Sequence, residues 1–133
     1  MSSPPSGHVV PVLTLGDNLL VTLQGELHDG MAEQLQQDIT RRIAEGPATG
    51  VVIDISGVDI VDSFLGRVLA EIASSAQLMA ARTVLAGMRP AVAITLVELG
   101  LTLPGLVTAL DVSQALELLA RPAPATGRTD GRT

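Results

Sequence analysis

Apolar residues along this chain fall into two alternating patterns: short β-branched runs, and stretches where they recur every three or four residues. The change between them is sharpest in residues 50–64, GVVIDISGVDIVDSF. Val51, Val52, Ile53 and Ile55 form a run with one acid, Asp54, inside it. That is the pattern of a strand buried on both faces, as in parallel sheets. A turn is expected at Ser56-Gly57, followed by a short apolar piece (Val58, Ile60, Val61) and the dipeptide Asp62-Ser63. Phe64, Leu65, Val68, Leu69, Ile72, Ala76 and Met79 then follow at helical spacing, which predicts a helix from Ser63 to about Met79. Ser63 stands where a buried strand hands over to a helix, the part of an open α/β sheet where ligands and partners meet the fold.

The flanking segments continue the alternation. Residues 9–15 and 19–23 are β-prone, and Gly16-Asp17-Asn18 between them has hairpin-turn chemistry, so they are expected to pair antiparallel. Residues 25–30 form a loop in which Asp29 is placed to cap the next helix. That helix carries Met31, Leu35, Ile39 and Ile43 on one apolar stripe and ends at Gly46-Pro47. Residues 82–86, RTVLA, predict a strand, and Gly87-Met88-Arg89 a turn. Pro90 suits the first position of a helix, where its missing N–H costs nothing, and Gly100 suits its end. Residues 106–109 predict a last strand, and Asp111 with Gln114 a capping box for a last helix that Pro122 terminates.

The resulting order is β-β-α-β-α-β-α-β-α. After the opening hairpin each helix is expected to link parallel strands by right-handed crossovers. The fold class expected is therefore α/β: a mixed, mostly parallel sheet with an N-terminal hairpin and about four helices packed on it. One domain is expected over residues 9–121. The tails, 1–8 and 122–133, hold few large apolar side chains and are expected to be disordered.

Composition narrows the chemistry. Apolar residues are 47% of the 133, enough for a real core. The net charge is −6, every basic residue is Arg, and the one aromatic is Phe64. A nucleic-acid binder needs phosphate-neutralising charge and stacking platforms, and this chain has neither. It has no Cys, which excludes disulfides, thiolate nucleophiles and Cys–zinc sites. The apolar stretch 83–110 is interrupted by Arg89, Pro90 and Glu98, short of the roughly 18 uncharged residues a membrane span needs. The N-terminus lacks the basic and apolar regions of a signal peptide, so a cytoplasmic protein is expected.

No P-loop and no dinucleotide-binding glycine motif is present, and no cofactor or metal is expected. His8 and His28 are tied to no nucleophile by any motif, and no catalytic residue is assigned. Asp54, Asp59 and Asp62 have the composition of an acidic Mg²⁺ phosphoacceptor pocket, but the Lys that such chemistry uses is missing from the chain. Thr95, in an apolar helix, is expected to bond back to its own helix, and Glu98 to face solvent. At the strand-to-helix junction two readings stand side by side. Asp62 or Ser63 serves as a helix N-cap, or the Ser63 hydroxyl is presented to a kinase. A phosphate there would add about −1.5 to −2 charges beside Asp59 and Asp62.

Three runs in order, GVVIDISGVDIVDSF, VLAGMRPAVAITLVELG and TALDVSQALELL, resemble the STAS domain of the anti-sigma-factor antagonists. Within that family they resemble most the RsbS-type scaffolds of the stressosome. The resemblance covers about residues 9–120. It implies a STAS fold, no enzymatic activity, and assembly as a homo-dimer and in a large cytoplasmic hetero-oligomer with RsbR-type STAS paralogues. It also implies sequestration of an RsbT-type serine/threonine kinase, phosphorylation of the motif's serine on stress, and resetting by an RsbX-type phosphatase. The motif's serine falls on Ser63, and the partner-binding surface implied is Asp59, Asp62, Ser63 and Phe64. A stand-alone antagonist that binds an anti-sigma kinase one-to-one shares the same fold and serine. The tails are longer and richer in Pro, Ser, Gly and Thr than the family pattern.

Overall fold

The structure, a computed structural model, describes residues 10–25, 27–100 and 106–121. The elements are β1 (Val12–Leu15), β2 (Asn18–Gln24), α1 (Asp29–Glu45), β3 (Gly50–Gly57), α2 (Ser63–Leu78), β4 (Arg82–Ala86), α3 (Pro90–Glu98), β5 (Leu106–Ala109) and α4 (Val112–Ala120). This is the expected order. The strands lie in the sheet as β1-β2-β3-β4-β5, with β1 antiparallel to β2 and every later neighbour parallel. The hairpin closes on a two-residue loop, Gly16-Asp17, with Leu15 opposite Asn18. Gly16 has φ +60°, the backbone that glycine supplies at the first loop position of a type II′ turn.

The pleat of β3 explains why its run is apolar throughout. Val51, Ile53 and Ile55 point to one face of the sheet and pack with Leu35 and Ile39 of α1, Leu69 and Ile72 of α2, and Val92 of α3. Val52 points to the other face and packs with Val84, Ala86, Ala109 and Ala115, under α4. All four are 0% exposed. Three helices thus cover one face and α4 covers the other. Arg82 donates from one guanidinium nitrogen to the carbonyls of Leu119 and Arg121, both at 2.7 Å, and so satisfies two acceptors at the C-terminal end of α4.

Four local expectations change. Residue 28, not Asp29, is the N-cap of α1: its carbonyl accepts from Ala32 N at 2.8 Å, and Asp29 is already helical. An acid in the first turn still faces the positive end of the helix dipole, so Asp29 is favourable there without capping. The buried stripe of α1 is Ala32, Leu35, Ile39 and Ile43, and Met31 is half-buried. A helix turns every 3.6 residues, so a strict spacing of four drifts off the core, and Ala32 replaces Met31. Ser56 and Gly57 remain in β3, because Gly57 still pairs with Gln24 after a register shift in β2; the chain turns just beyond, where Val58 N donates to Ile55 O at 3.0 Å. The first strand begins at Val12, later than the run from residue 9 suggests, and Val9 lies outside the described residues. Pro122 and both predicted tails also lie outside them.

Candidate functional site

Ser63 is the first residue of α2, and its placement is set by the residue before it. Asp62 is extended, at φ −114° and ψ 179°, and its Oδ1 accepts from Leu65 N at 2.9 Å. Its carbonyl accepts from Gly66 N at 3.1 Å. Asp62 is therefore the N-cap and Ser63 is not. With the cap supplied by its neighbour, the Ser63 hydroxyl makes no hydrogen bond among the described residues and is exposed. The apolar residues on either side hold the junction down: Val58, Val61 and Leu65 are buried in the core at 1%, 5% and 6% exposure.

The junction lies at the C-terminal end of the parallel strands, beside a surface depression of about 380 Å³. Asp59, Asp62 and Phe64 line it together, with Ile60, Leu27 and the backbone of Gly25 and Gly57. Of the four residues expected to form a partner surface, three share this depression, and Ser63 stands exposed between Asp62 and Phe64. Ile60 is 83% exposed, an aliphatic side chain held out in solvent next to the depression. Sequence reasoning placed it in a short apolar piece. The signal available was its position between two acids, out of step with buried Val58 and Val61.

The three acids around Ser63 do not converge. Asp54 accepts from Ser56 N at 2.9 Å, Asp62 caps α2, and Asp59 pairs with Arg89 at 2.5 Å. Among the described residues no group of three His, Cys, Asp or Glu side chains is arranged to hold a metal ion. Arg89 is the residue that sequence reasoning missed. It is the N-cap of α3, and its Nε donates to the Ser56 carbonyl at 3.1 Å. It ties the loop before Ser63 to the turn after β4. That turn is tight: Gly87 has φ +75°, and a Cβ on it would lie 2.9 Å from the Ser56 Cβ. Away from the site, Thr95 donates back to Ala91 O at 2.9 Å and Glu98 is exposed, as expected. His28 lies at the start of α1, and His8 lies outside the described residues. Among the described residues no helix is long and apolar enough to cross a membrane.

The STAS domain family model matches residues 10–115. The RsbT co-antagonist protein RsbRA of Bacillus subtilis is 28% identical over 99 residues, 74% of this chain and 36% of that protein. The chain thus spans little more than a third of the length of that relative. A solved RsbS of Moorella thermoacetica, a variant in which a serine is replaced by glutamate, is 40% identical, with a TM-score of 0.74 over 84% of this chain and 94% of that one. A chain solved in the molecular architecture of the stressosome, a signal integration and transduction hub, is 42% identical, with a TM-score of 0.73 over 83% and 96%.

Proposed function

Because this chain belongs to the STAS domain family, we propose that it is a non-catalytic scaffold of a stressosome-type assembly that sequesters and releases a serine/threonine kinase of the RsbT type. Ser63 is the phosphoacceptor. The observation that carries this reading is the exposed, uncapped hydroxyl of Ser63 at the first position of α2, held beside the depression lined by Asp59, Asp62 and Phe64. Likeness to RsbS and to a stressosome chain over more than four-fifths of this sequence supports the assembly. Similarity to RsbRA supports partners of the RsbR type, which would supply the sensory part, and a phosphatase of the RsbX type would reset the serine. The complex would form in the cytoplasm.

The mechanism follows from charge. In the unmodified protein the kinase docks over Phe64 and the exposed Ile60, with Ser63 in reach. Phosphorylation adds about −1.5 to −2 charges next to Asp59 and Asp62 and raises the cost of burying that surface against the kinase. The kinase then leaves.

A one-to-one antagonist of an anti-sigma kinase has the same fold and the same serine. Sizing chromatography of the protein mixed with a STAS-bearing paralogue and the kinase separates the two. Particles of many copies support the scaffold, and a complex no larger than one-to-one supports the antagonist. A phosphate carried instead on Asp54 or Asp62 would be an acyl phosphate and would not survive acid, whereas phosphoserine does.

A further inference from the structure

We propose that Arg67 is the residue that receives the phosphate once Ser63 is phosphorylated, forming an intramolecular phosphoserine–guanidinium pair along the exposed face of α2. This rests on the reading of Ser63 as phosphoacceptor and adds what holds the modified form.

Residues four apart on a helix lie one above the other, with Cβ atoms about 5–6 Å apart. Ser63 and Arg67 are such a pair, and both are exposed. Arg67 makes no ion pair or side-chain hydrogen bond among the described residues. That sets it apart from the other arginines of the helical face and the site. Arg41 and Arg42 are engaged by Asp38, and Arg89 by Asp59. The acid one turn beyond Arg67, Glu71, accepts a hydrogen bond from Gln36 Nε2 of α1 at 2.8 Å and is drawn to that helix. On the other side, Asp62 is committed to Leu65 N and Asp59 to Arg89. Arg67 is thus an open cation one turn from the hydroxyl, with the nearby acids occupied elsewhere. A guanidinium offers several donors in a fixed fork, which suits phosphate oxygens better than a point charge does.

The consequence for the switch is twofold. Phosphorylation adds negative charge at position 63, and it also withdraws from the surface a cation that the unmodified protein presents. Both changes act on the same face, so the modified and unmodified forms differ by more than the phosphate alone.

The test uses the full chain with phosphoserine installed at position 63 during synthesis, so that it does not depend on any kinase. Phosphorus NMR follows the second ionisation of the phosphate in this protein and in its Arg67→Gln and Arg67→Lys variants. The pair favours the dianion. Arg67→Gln is therefore expected to raise the second pKa by roughly 0.2–0.4 relative to Arg67. Arg67→Lys recovers part of the difference, and about 1 M salt removes most of it. A merely structural Arg67 would leave the phosphate titration unmoved, and superimposed curves for the three proteins would overturn the proposal. Failure of a kinase to label Ser63 is a separate result: it removes the functional reading and leaves the pairing measured on its own.

Discussion

Asp59 and Arg89 form an ion pair at 2.5 Å that joins the loop before α2 to the first residue before α3. Both side chains are mostly in solvent, at 70% and 55% exposure, so the pair lies in the regime where ion pairs add about 0–1 kcal/mol. A double-mutant cycle with Asp59→Asn and Arg89→Gln is expected to give a coupling under about 1 kcal/mol at low salt and close to zero at about 1 M salt. Arg89→Gln alone costs more than Asp59→Asn, because it also removes the donor to the Ser56 carbonyl. Equal single-mutant effects in urea unfolding would contradict this assignment.

The cap of α2 can be weighed separately. Asp62→Ala deletes the acceptor for Leu65 N and is expected to destabilise the fold by about 0.5–2 kcal/mol, while Asp62→Asn retains most of the cap. Because Ser63 is not the cap, Ser63→Ala is expected to change stability by less than about 0.5 kcal/mol. A larger loss for Ser63→Ala than for Asp62→Ala would reverse the roles assigned to the two residues.

Inside the sheet, Thr83 of β4 is 1% exposed, and among the described residues its Oγ1 has no hydrogen-bond partner. A buried hydroxyl without a partner carries a desolvation cost of about 1–3 kcal/mol, and valine has nearly the same shape without the oxygen. Thr83→Val is expected to stabilise the protein, by roughly 1 kcal/mol in chemical denaturation. A loss of stability would show that the hydroxyl is satisfied in solution.

Much of this architecture is legible in the pattern of residues because its causes are local. The β3 run, the period change at Phe64, Pro90 opening α3 and Asp111 capping α4 each depend on a few neighbours. Asp111 Oδ1 accepts from Gln114 N at 2.8 Å, and the Gln114 side chain accepts in return from Leu110 N at 2.7 Å, one residue short of the usual capping box. The STAS membership also followed from three local runs. What local pattern does not carry is pairing across the fold. Nothing near Arg89 in the sequence points to Ser56 or Asp59. The depression joins Leu27 to Ile60 and Phe64 through the adjacency of β2 and β3 in the sheet. The side of the sheet that α4 covers is decided by the parity of Val52, Val84 and Ala109, which only the register reveals.

Charge at position 63 is expected to weaken binding without weakening the fold. Ser63→Asp carries less charge and fewer acceptor oxygens than phosphoserine, so it would mimic the proposed modification in part. It is expected to weaken kinase binding by roughly 5- to 150-fold, the span of a coupling of about 1–3 kcal/mol, with an unfolding midpoint no lower than that of the wild type, because an acid in the first turn of α2 is favourable there. Calorimetry with the kinase that shows equal affinity for Ser63→Asp and wild type would remove charge as the release mechanism.

Whether Ser63 accepts the phosphate is read by mass spectrometry. The protein and its Ser63→Ala variant are incubated with the switch kinase and Mg-ATP, and the site of any added phosphate is mapped. One acid-stable phosphate on Ser63 is expected in the wild type and none in the variant. A phosphate only at other positions, or full labelling of Ser63→Ala, would contradict it and leave Ser63 as no more than the first residue of α2.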